Sequence, residues 1–196
     1  MNIGIDIDNT LTDIEKELFD AANSYTKKLR PSFKYVGQQK YDGFTNMAGF
    51  YSSIFGWNDD EIEHFFRNQR LEVVDNAKPR ENAKEVIQKL KEEGNNIYII
   101  TARTTRFDDI PYERAKNWLD KNGIVYDKLM VEATDKAKVC YDLNIKLFID
   151  DQLNNCISLA NNGIHTIRLT DSIKIYDNIV NIKNWNDIYE YISKLK

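Results

Sequence analysis

Short apolar runs recur along the chain, spaced by stretches whose apolar residues return every third or fourth position. The first run, Ile3-Gly4-Ile5, reads as a buried strand. A helical pattern follows through Ile14, Leu18, Ala21, Ala22, Tyr25 and Leu29. Pro31 ends it, because the residue before a proline is pushed out of the helical region. Residues 32–56 show no clear period and carry Phe33, Tyr35, Tyr41, Phe44, Phe50, Tyr51 and Phe55. Asn58 then fits a helix N-cap, with Glu61 to complete a capping box and Trp57 to pack on Ile62. Phe65 and Phe66 continue that apolar face.

From residue 79 the pattern becomes regular. Pro79 suits the first position of a helix. Ala83, Val86, Ile87 and Leu90 form its inner face, and Gly94 suits its C-terminal cap. Strands are expected at 96–100, near 128–132, at 146–149 and over 164–169. Helices are expected around Ala115, Trp118 and Leu119 up to Gly123, near 136–143 and near 153–161. A last amphipathic helix carries Ile188, Tyr191, Ile192 and Leu195. Strands alternating with helices predict an α/β fold, a Rossmann-like three-layer core with a mainly parallel sheet. Residues 14–77 break the alternation and read as a small helical insert after the first strand. The expected organisation is a core of 1–13 and 78–196, with a helical insert at 14–77.

The polar residues that stop the strands carry the chemistry. Asp6 and Asp8 follow Ile5 two residues apart, so strand alternation starts them on one side. Two carboxylates that close cost energy unless a cation or a proton relieves them. The pair is a candidate for metal-assisted chemistry, one carboxylate attacking and the other moving protons. The strand at 96–100 stops at Thr101-Ala102-Arg103, the strand at 146–149 stops at Asp150-Asp151, and Lys136 follows Leu129-Met130-Val131. In open α/β sheets ligands bind at this edge. Taken singly, each has a plainer account: turn-capping acids, a β-branched strand end, a solvated lysine.

In the order DxDxT, Thr, Lys, Asp-Asp, these motifs resemble the haloacid dehalogenase-like (HAD) hydrolase superfamily over essentially the whole chain. Ile100 to Arg103, Pro111-Tyr112-Glu113 opening a helix, and Asn184-Trp185 resemble the 5′(3′)-deoxyribonucleotidases and their bacterial nucleotidase relatives. The resemblance implies a Mg2+-dependent phosphomonoesterase working through an aspartyl-phosphate. In those terms Asp6 is the nucleophile and a metal ligand. Asp8 is the general acid and base, with its backbone carbonyl on the metal. Asp150 coordinates directly, and Asp151 does so directly or through water. The Thr101 hydroxyl and the N–H of Ala102 would bind phosphoryl oxygens. Lys136 would neutralise charge and is preferred to Lys138, because Asp135-Lys136 opens the helix as in family members. The insert would be a cap that closes over the site. Asn9 stands where the family commonly has Gly, a substitution that asparagine's access to left-handed backbone tolerates. Arg103 reads equally as a contact to phosphate or cap and as a structural ion pair. The aromatics of 33–57 would either stack on a nucleobase or fill the core of the insert.

Charge narrows the partners. A net charge of −4 and a pI near 5.3 give no counterion-release affinity for a nucleic-acid polymer, which disfavours a polynucleotide end-phosphatase. No apolar run approaches the roughly 20 residues needed to span a bilayer, and no signal-peptide pattern opens the chain. Cys140 and Cys156 fall on apolar helix faces and read as buried thiols in a cytoplasmic protein. The expected partner is a small phosphorylated molecule, with nucleoside monophosphates first and sugar phosphates or other metabolites next. A signalling receiver domain uses similar residues, but its acidic pair comes early and its phosphoacceptor in the middle, the reverse of the order here. A non-catalytic relative would be expected to lack the nucleophile, and Asp6 is present.

Overall fold

The computed structural model describes residues 1–41 and 47–195. Among them the strands form one six-stranded sheet, ordered β3-β2-β1-β4-β5-β6 and parallel throughout. These are β1 (Asn2–Ile5), β2 (Asn96–Ile100), β3 (Lys128–Met130), β4 (Leu147–Asp150), β5 (His165–Leu169) and β6 (Ile179–Ile182). The central strands are covered on both faces, which is why they read as unbroken apolar runs. On one face Ile3, Ile5, Ile97 and Ile149 pack under α5 (Ala83–Glu92), α6 (Pro111–Asn122) and α9 (Trp185–Ser193). On the other, Ile100 and Phe148 pack under α7 (Lys136–Asp142) and α8 (Leu153–Asn161). Gly4 is required there, since a Cβ at that position would lie 2.4 Å from Phe148 Cδ2.

β1 pairs with β2 on one side and β4 on the other, so the strand order reverses across it. The carboxyl ends of β1 and β4 therefore meet at the switch point where α/β sheets bind ligands.

Between β1 and α5 the chain builds a helical layer: α1 (Glu15–Leu29), α2 (Met47–Phe55), α3 (Asp59–His64) and α4 (Arg70–Asn76). A π-helical turn, Phe65–Gln69, joins α3 to α4. The layer has its own aromatic core, in which the Trp57 ring lies 4.7 Å from Phe65 and 5.1 Å from Phe55. The Trp57 indole donates to Thr26 Oγ1 at 2.9 Å, so its one polar atom is satisfied inside that core. Asn58 and Glu61 form the expected capping box. The aromatics of 33–57 that lie among the described residues mostly serve this core; Phe44 lies outside the described residues.

Pro79 does not open α5. It pairs with Thr12 in an antiparallel bridge where the chain leaves and re-enters the sheet domain, and Arg80 N–H donates to the Leu11 carbonyl at 2.7 Å. α5 begins only at Ala83, after Asn82 in left-handed conformation. β6 was not expected: Ile179 to Ile182 is an edge strand with two half-buried positions and too little contrast to stand out. Leu195 lies beyond α9 and is exposed. Among the described residues, no helix is long and apolar enough to cross a membrane.

Candidate active site

The ladder between β1 and β4 continues one residue past β1, with Asp6 N–H donating to the Ile149 carbonyl at 3.1 Å. That fixes Asp6 beside Asp150, the last residue of β4. The chain then coils, and the N–H groups of Thr10, Leu11 and Thr12 all turn back to the Ile7 carbonyl. Asn9 takes φ 60°, and its side-chain oxygen accepts from Ile14 N–H at 3.1 Å. The asparagine thus tolerates the turn and also ties it to the start of the helical layer.

Lys136 reaches this floor from the first turn of α7, which Asp135 caps by accepting from Lys138 N–H. Its Nζ lies 2.7 Å from Asp6 Oδ1 and 2.6 Å from Asp150 Oδ2. Lys138 faces outward and pairs with Asp142. Burial works against the charge on Lys136, but Asp150 and Asp6 outweigh it and hold the ammonium above the ordinary lysine value. Burial also pushes the Asp6 carboxyl up to about 7; Lys136 opposes this, while Asp150 and Asp8 add to it. Asp151 is raised too, first by burial and then by Asp150 and Asp6. Its Oδ1 accepts from the Thr10 hydroxyl at 3.1 Å. Asp150 is tied by Gln152 N–H at 2.9 Å and by the Asn155 amide at 3.1 Å.

Asp8 lies on the same cleft but has different partners. Arg103 grips it with two hydrogen bonds, Nε to Oδ2 at 3.1 Å and Nη2 to Oδ1 at 2.8 Å. Arg70, from α4, approaches Oδ2 at 3.6 Å. Burial opposes the charge on Asp8, yet Arg103 and Arg70 lower its pKa below the ordinary value. The two carboxylates of the DxD pair are therefore in opposite environments, Asp6 short of positive charge and Asp8 rich in it. Thr101 is buried just past β2, held by its N–H to the Met130 carbonyl at 2.9 Å, and Ala102 beside it is exposed to the cleft.

These residues line a cleft of about 330 Å3. Asp6, Asp8, Thr101, Ala102 and Lys136 form its polar floor, and Met47, Phe66 and Phe107 form an apolar wall, with Phe66 and Phe107 rings 4.9 Å apart. Asp150 is fully buried on Lys136, and Asp151 lines a neighbouring hollow with Asn9 and Arg168. Among the described residues no three His, Cys, Asp or Glu side chains stand as a formed metal site. The donor chemistry nonetheless suits Mg2+, which takes hard oxygen ligands. Two buried carboxylates, Asp6 and Asp150, share the Lys136 ammonium with the half-buried Asp151 beside them, and Asp6 and Asp151 are raised first by burial and then by the neighbouring carboxylates.

Sequence reasoning did not single out Arg70, Asn155 or the Thr10 hydroxyl. Arg70 lies in a charged helix, and its partner Asp8 is remote in sequence, so no local pattern marks it. Cys140 and Cys156 are buried free thiols, as expected, and the Cys156 thiol donates to the Asp150 carbonyl at 3.8 Å. His165 is engaged by the Tyr191 hydroxyl at 3.0 Å rather than by the cleft.

Comparison with known proteins bears on the family and the fold. A nucleotidase of Clostridium acetobutylicum is 28% identical over 199 residues, spanning 100% of this chain and 95% of that protein. A Chlorobaculum tepidum protein named "Putative 5'(3')-deoxyribonucleotidase" is 25% identical, spanning 97% of this chain and 89% of that one. Among solved structures, a predicted phosphatase from Clostridium acetobutylicum superposes with a TM-score of 0.68 at 16% identity, over 98% of both chains. A predicted phosphoglycolate phosphatase from Haemophilus somnus gives 0.66 at 18%, over 97% of this chain and 96% of that one. At those identities the structures speak for the fold alone. The profile of one hydrolase family matches residues 2–163, from the first strand to the glycine before β5, and on that match the chain belongs to the haloacid dehalogenase-like hydrolases.

Proposed function

We propose that the cleft hydrolyses phosphomonoesters with Asp6 as nucleophile, and that nucleoside monophosphates are its substrates. The observation that carries the reading is the buried Asp6–Lys136–Asp150 arrangement under an open cleft. A carboxylate attacks a phosphate ester only where positive charge masks the repulsion between them. Lys136 supplies one such charge beside Asp6. Mg2+ held by Asp6, Asp150, Asp151 and the Asp8 backbone carbonyl would supply the rest of the charge neutralisation.

In the first step an Asp6 oxygen bonds to phosphorus. The bond from phosphorus to the ester oxygen breaks, its electron pair stays on that oxygen, and Asp8 delivers a proton to it. In the second step Asp8 takes a proton from water, the water oxygen bonds to phosphorus, and the bond to Asp6 breaks. As it stands, Asp8 is ionised and gripped by Arg103, the form the second step needs. For the first step Asp8 must carry a proton, which it takes from solvent as the grip of Arg103 loosens on substrate entry. Thr101 and the N–H of Ala102 bind the phosphoryl oxygens.

The nucleotide reading draws on two supports. Two relatives similar over nearly the whole chain are named a nucleotidase and a "Putative 5'(3')-deoxyribonucleotidase", and the apolar wall of Met47, Phe66 and Phe107 offers a base an apolar surface opposite the phosphate floor. The helical layer α1–α4 acts as the cap and carries Met47 and Phe66 of this wall, while Phe107 comes from the loop after β2. A second reading, a sugar phosphate or other small metabolite, is favoured by the cleft volume of about 330 Å3, at the small end for ligand pockets. The test is phosphate release, with Mg2+, from deoxyribo- and ribonucleoside 5′- and 3′-monophosphates beside sugar phosphates. Preference for deoxyribonucleotides upholds the first reading. Turnover of sugar phosphates alone retains Asp6 and Asp8 and replaces the substrate. No turnover of any compound overturns both readings.

A further inference from the structure

We propose that Arg70 and Arg103 form an anion site on the leaving-group side of the cleft, and that the preferred substrate carries a second anionic group there, a carboxylate or a further phosphate. The inference rests on the phosphomonoesterase reading and narrows its substrate class. In a nucleotide the second group would be another phosphate on the sugar.

Three observations support it. First, the charges do not balance. Two guanidinium groups converge on the single carboxylate of Asp8, and both line the cleft. Two other acids act on the pair: Asp6 is held by Lys136 at 2.7 Å, and the Asp108 carboxylate is committed to Arg114 at 2.7 Å and to Ile110 N–H at 3.0 Å. Second, hydrogen-bonding capacity is left over. Arg103 is 4% exposed, and its Nη1 is buried with no partner among the described residues. The Arg70 side chain makes no hydrogen bond among the described residues. Its contacts there are the 3.6 Å approach to Asp8 and a position 5.9 Å over the Phe66 ring. A buried guanidinium with free donors is costly unless an acceptor arrives. Burial also holds Arg70 below the ordinary arginine value.

Third, the backbone is altered where Arg70 is delivered. The π-helical turn Phe65–Gln69 ends at Arg70, whose N–H bonds back to the Phe65 carbonyl, five residues earlier. Such turns carry one extra residue and gather at functional sites. Removing that residue would rotate the helix by about 100° from this point and swing Arg70 off the cleft. The turn also keeps the adjacent Phe65 and Phe66 both buried, one in the aromatic core and one against Phe107.

The geometry assigns the site to the leaving group. Asp6 attacks phosphorus from below, and Asp8 protonates the departing oxygen. The two arginines lie beyond Asp8, where the departing fragment sits. Asp8 occupies them while no substrate is present, and a second anion on the substrate takes over part of that role.

The test uses matched pairs of substrates that differ in the second anion: ethyl phosphate against phosphoglycolate, and a nucleoside 5′-monophosphate against its 3′,5′-bisphosphate. Phosphate release is measured with Mg2+ for the native protein, Arg70→Gln and Arg70→Lys, each checked for thermal unfolding. The expected result is a kcat/KM at least tenfold higher for the doubly charged member of one pair. That ratio falls at least tenfold in Arg70→Gln and is partly kept in Arg70→Lys. A ratio near one for both pairs in the native protein overturns the inference, as does a ratio unchanged in Arg70→Gln. Release from both members at equal rates leaves the phosphomonoesterase reading standing. Release from none of the four removes that reading and this inference together.

Discussion

The indole of Trp185 donates to the carbonyl of Thr10 at 3.2 Å, tying the last helix to the loop that carries Asp8. Both residues are fully or nearly fully buried. Removing the donor leaves a buried carbonyl without its partner, which costs about 1–3 kcal/mol. Trp185→Phe removes that donor and keeps an aromatic ring in the core, with a further cost for the volume lost. The expected outcome is a lower Tm together with reduced kcat, because Thr10 also positions Asp151. A Trp185→Phe protein with native Tm and native turnover would show that the loop is held by other contacts.

Asp6 and Lys136 touch, yet their substitutions should part company. Asp6→Asn removes one carboxylate from a cluster with excess negative charge, so the fold should persist while phosphate release falls below about a hundredth of the native rate. Lys136→Met removes the ammonium between Asp6 and Asp150. It leaves two buried carboxylates without their cation, a change that costs about 3–5 kcal/mol. Thermal unfolding read beside activity distinguishes the two. An Asp6→Asn variant that keeps more than a hundredth of native activity removes Asp6 from the nucleophile role.

Chelation tests the acidic cluster directly. Excess chelator should abolish phosphate release, and returning Mg2+ should restore it. Mg2+ without substrate should also raise Tm in a concentration-dependent way, since a ligand that binds only the folded state stabilises it by mass action. Full activity in chelator, with a Tm indifferent to Mg2+, would remove the metal from the mechanism.

The placement of Asp6, Thr101 and Asp150 at the strand ends is legible because each buried strand and its terminal polar residue are contiguous: Ile5 leads to Asp6, Ile100 to Thr101, Ile149 to Asp150. The choice of Lys136 over Lys138 needed only the family's habit at a helix start, and the structure has Lys136 on Asp6 and Asp150 while Lys138 pairs with Asp142. What escaped was tertiary. Pro79 has the local look of a helix start, but pairing with Thr12 across the neck of the helical layer prevails over that preference. Arg70 meets Asp8 only through the fold, by way of a π-turn that no apolar periodicity announces. Asn155 and Arg168 likewise hold Asp150 and Asp151 from elements whose own patterns speak only of packing.

A last prediction concerns the edge of the sheet remote from the cleft. Asp127 accepts from Ile97 N–H at 2.7 Å and pairs with Lys91 at 2.5 Å, clamping the start of β2 to the end of α5. Burial works against its charge, but Lys91 and the Ile97 N–H outweigh it and hold the carboxyl below its ordinary value. A depressed folded-state pKa means that the folded protein binds the proton less readily than the unfolded chain. The stabilisation is then fully present above the unfolded value of about 3.9 and is lost as pH falls through the lower folded one. Asp127→Ala should therefore lower stability most at neutral pH, and the gap to the native protein should narrow as pH drops below about 4. Denaturant unfolding of both proteins across that range measures the gap. A gap that stays constant with pH would mean that the ionised carboxylate contributes nothing and that only the side chain's bulk is felt.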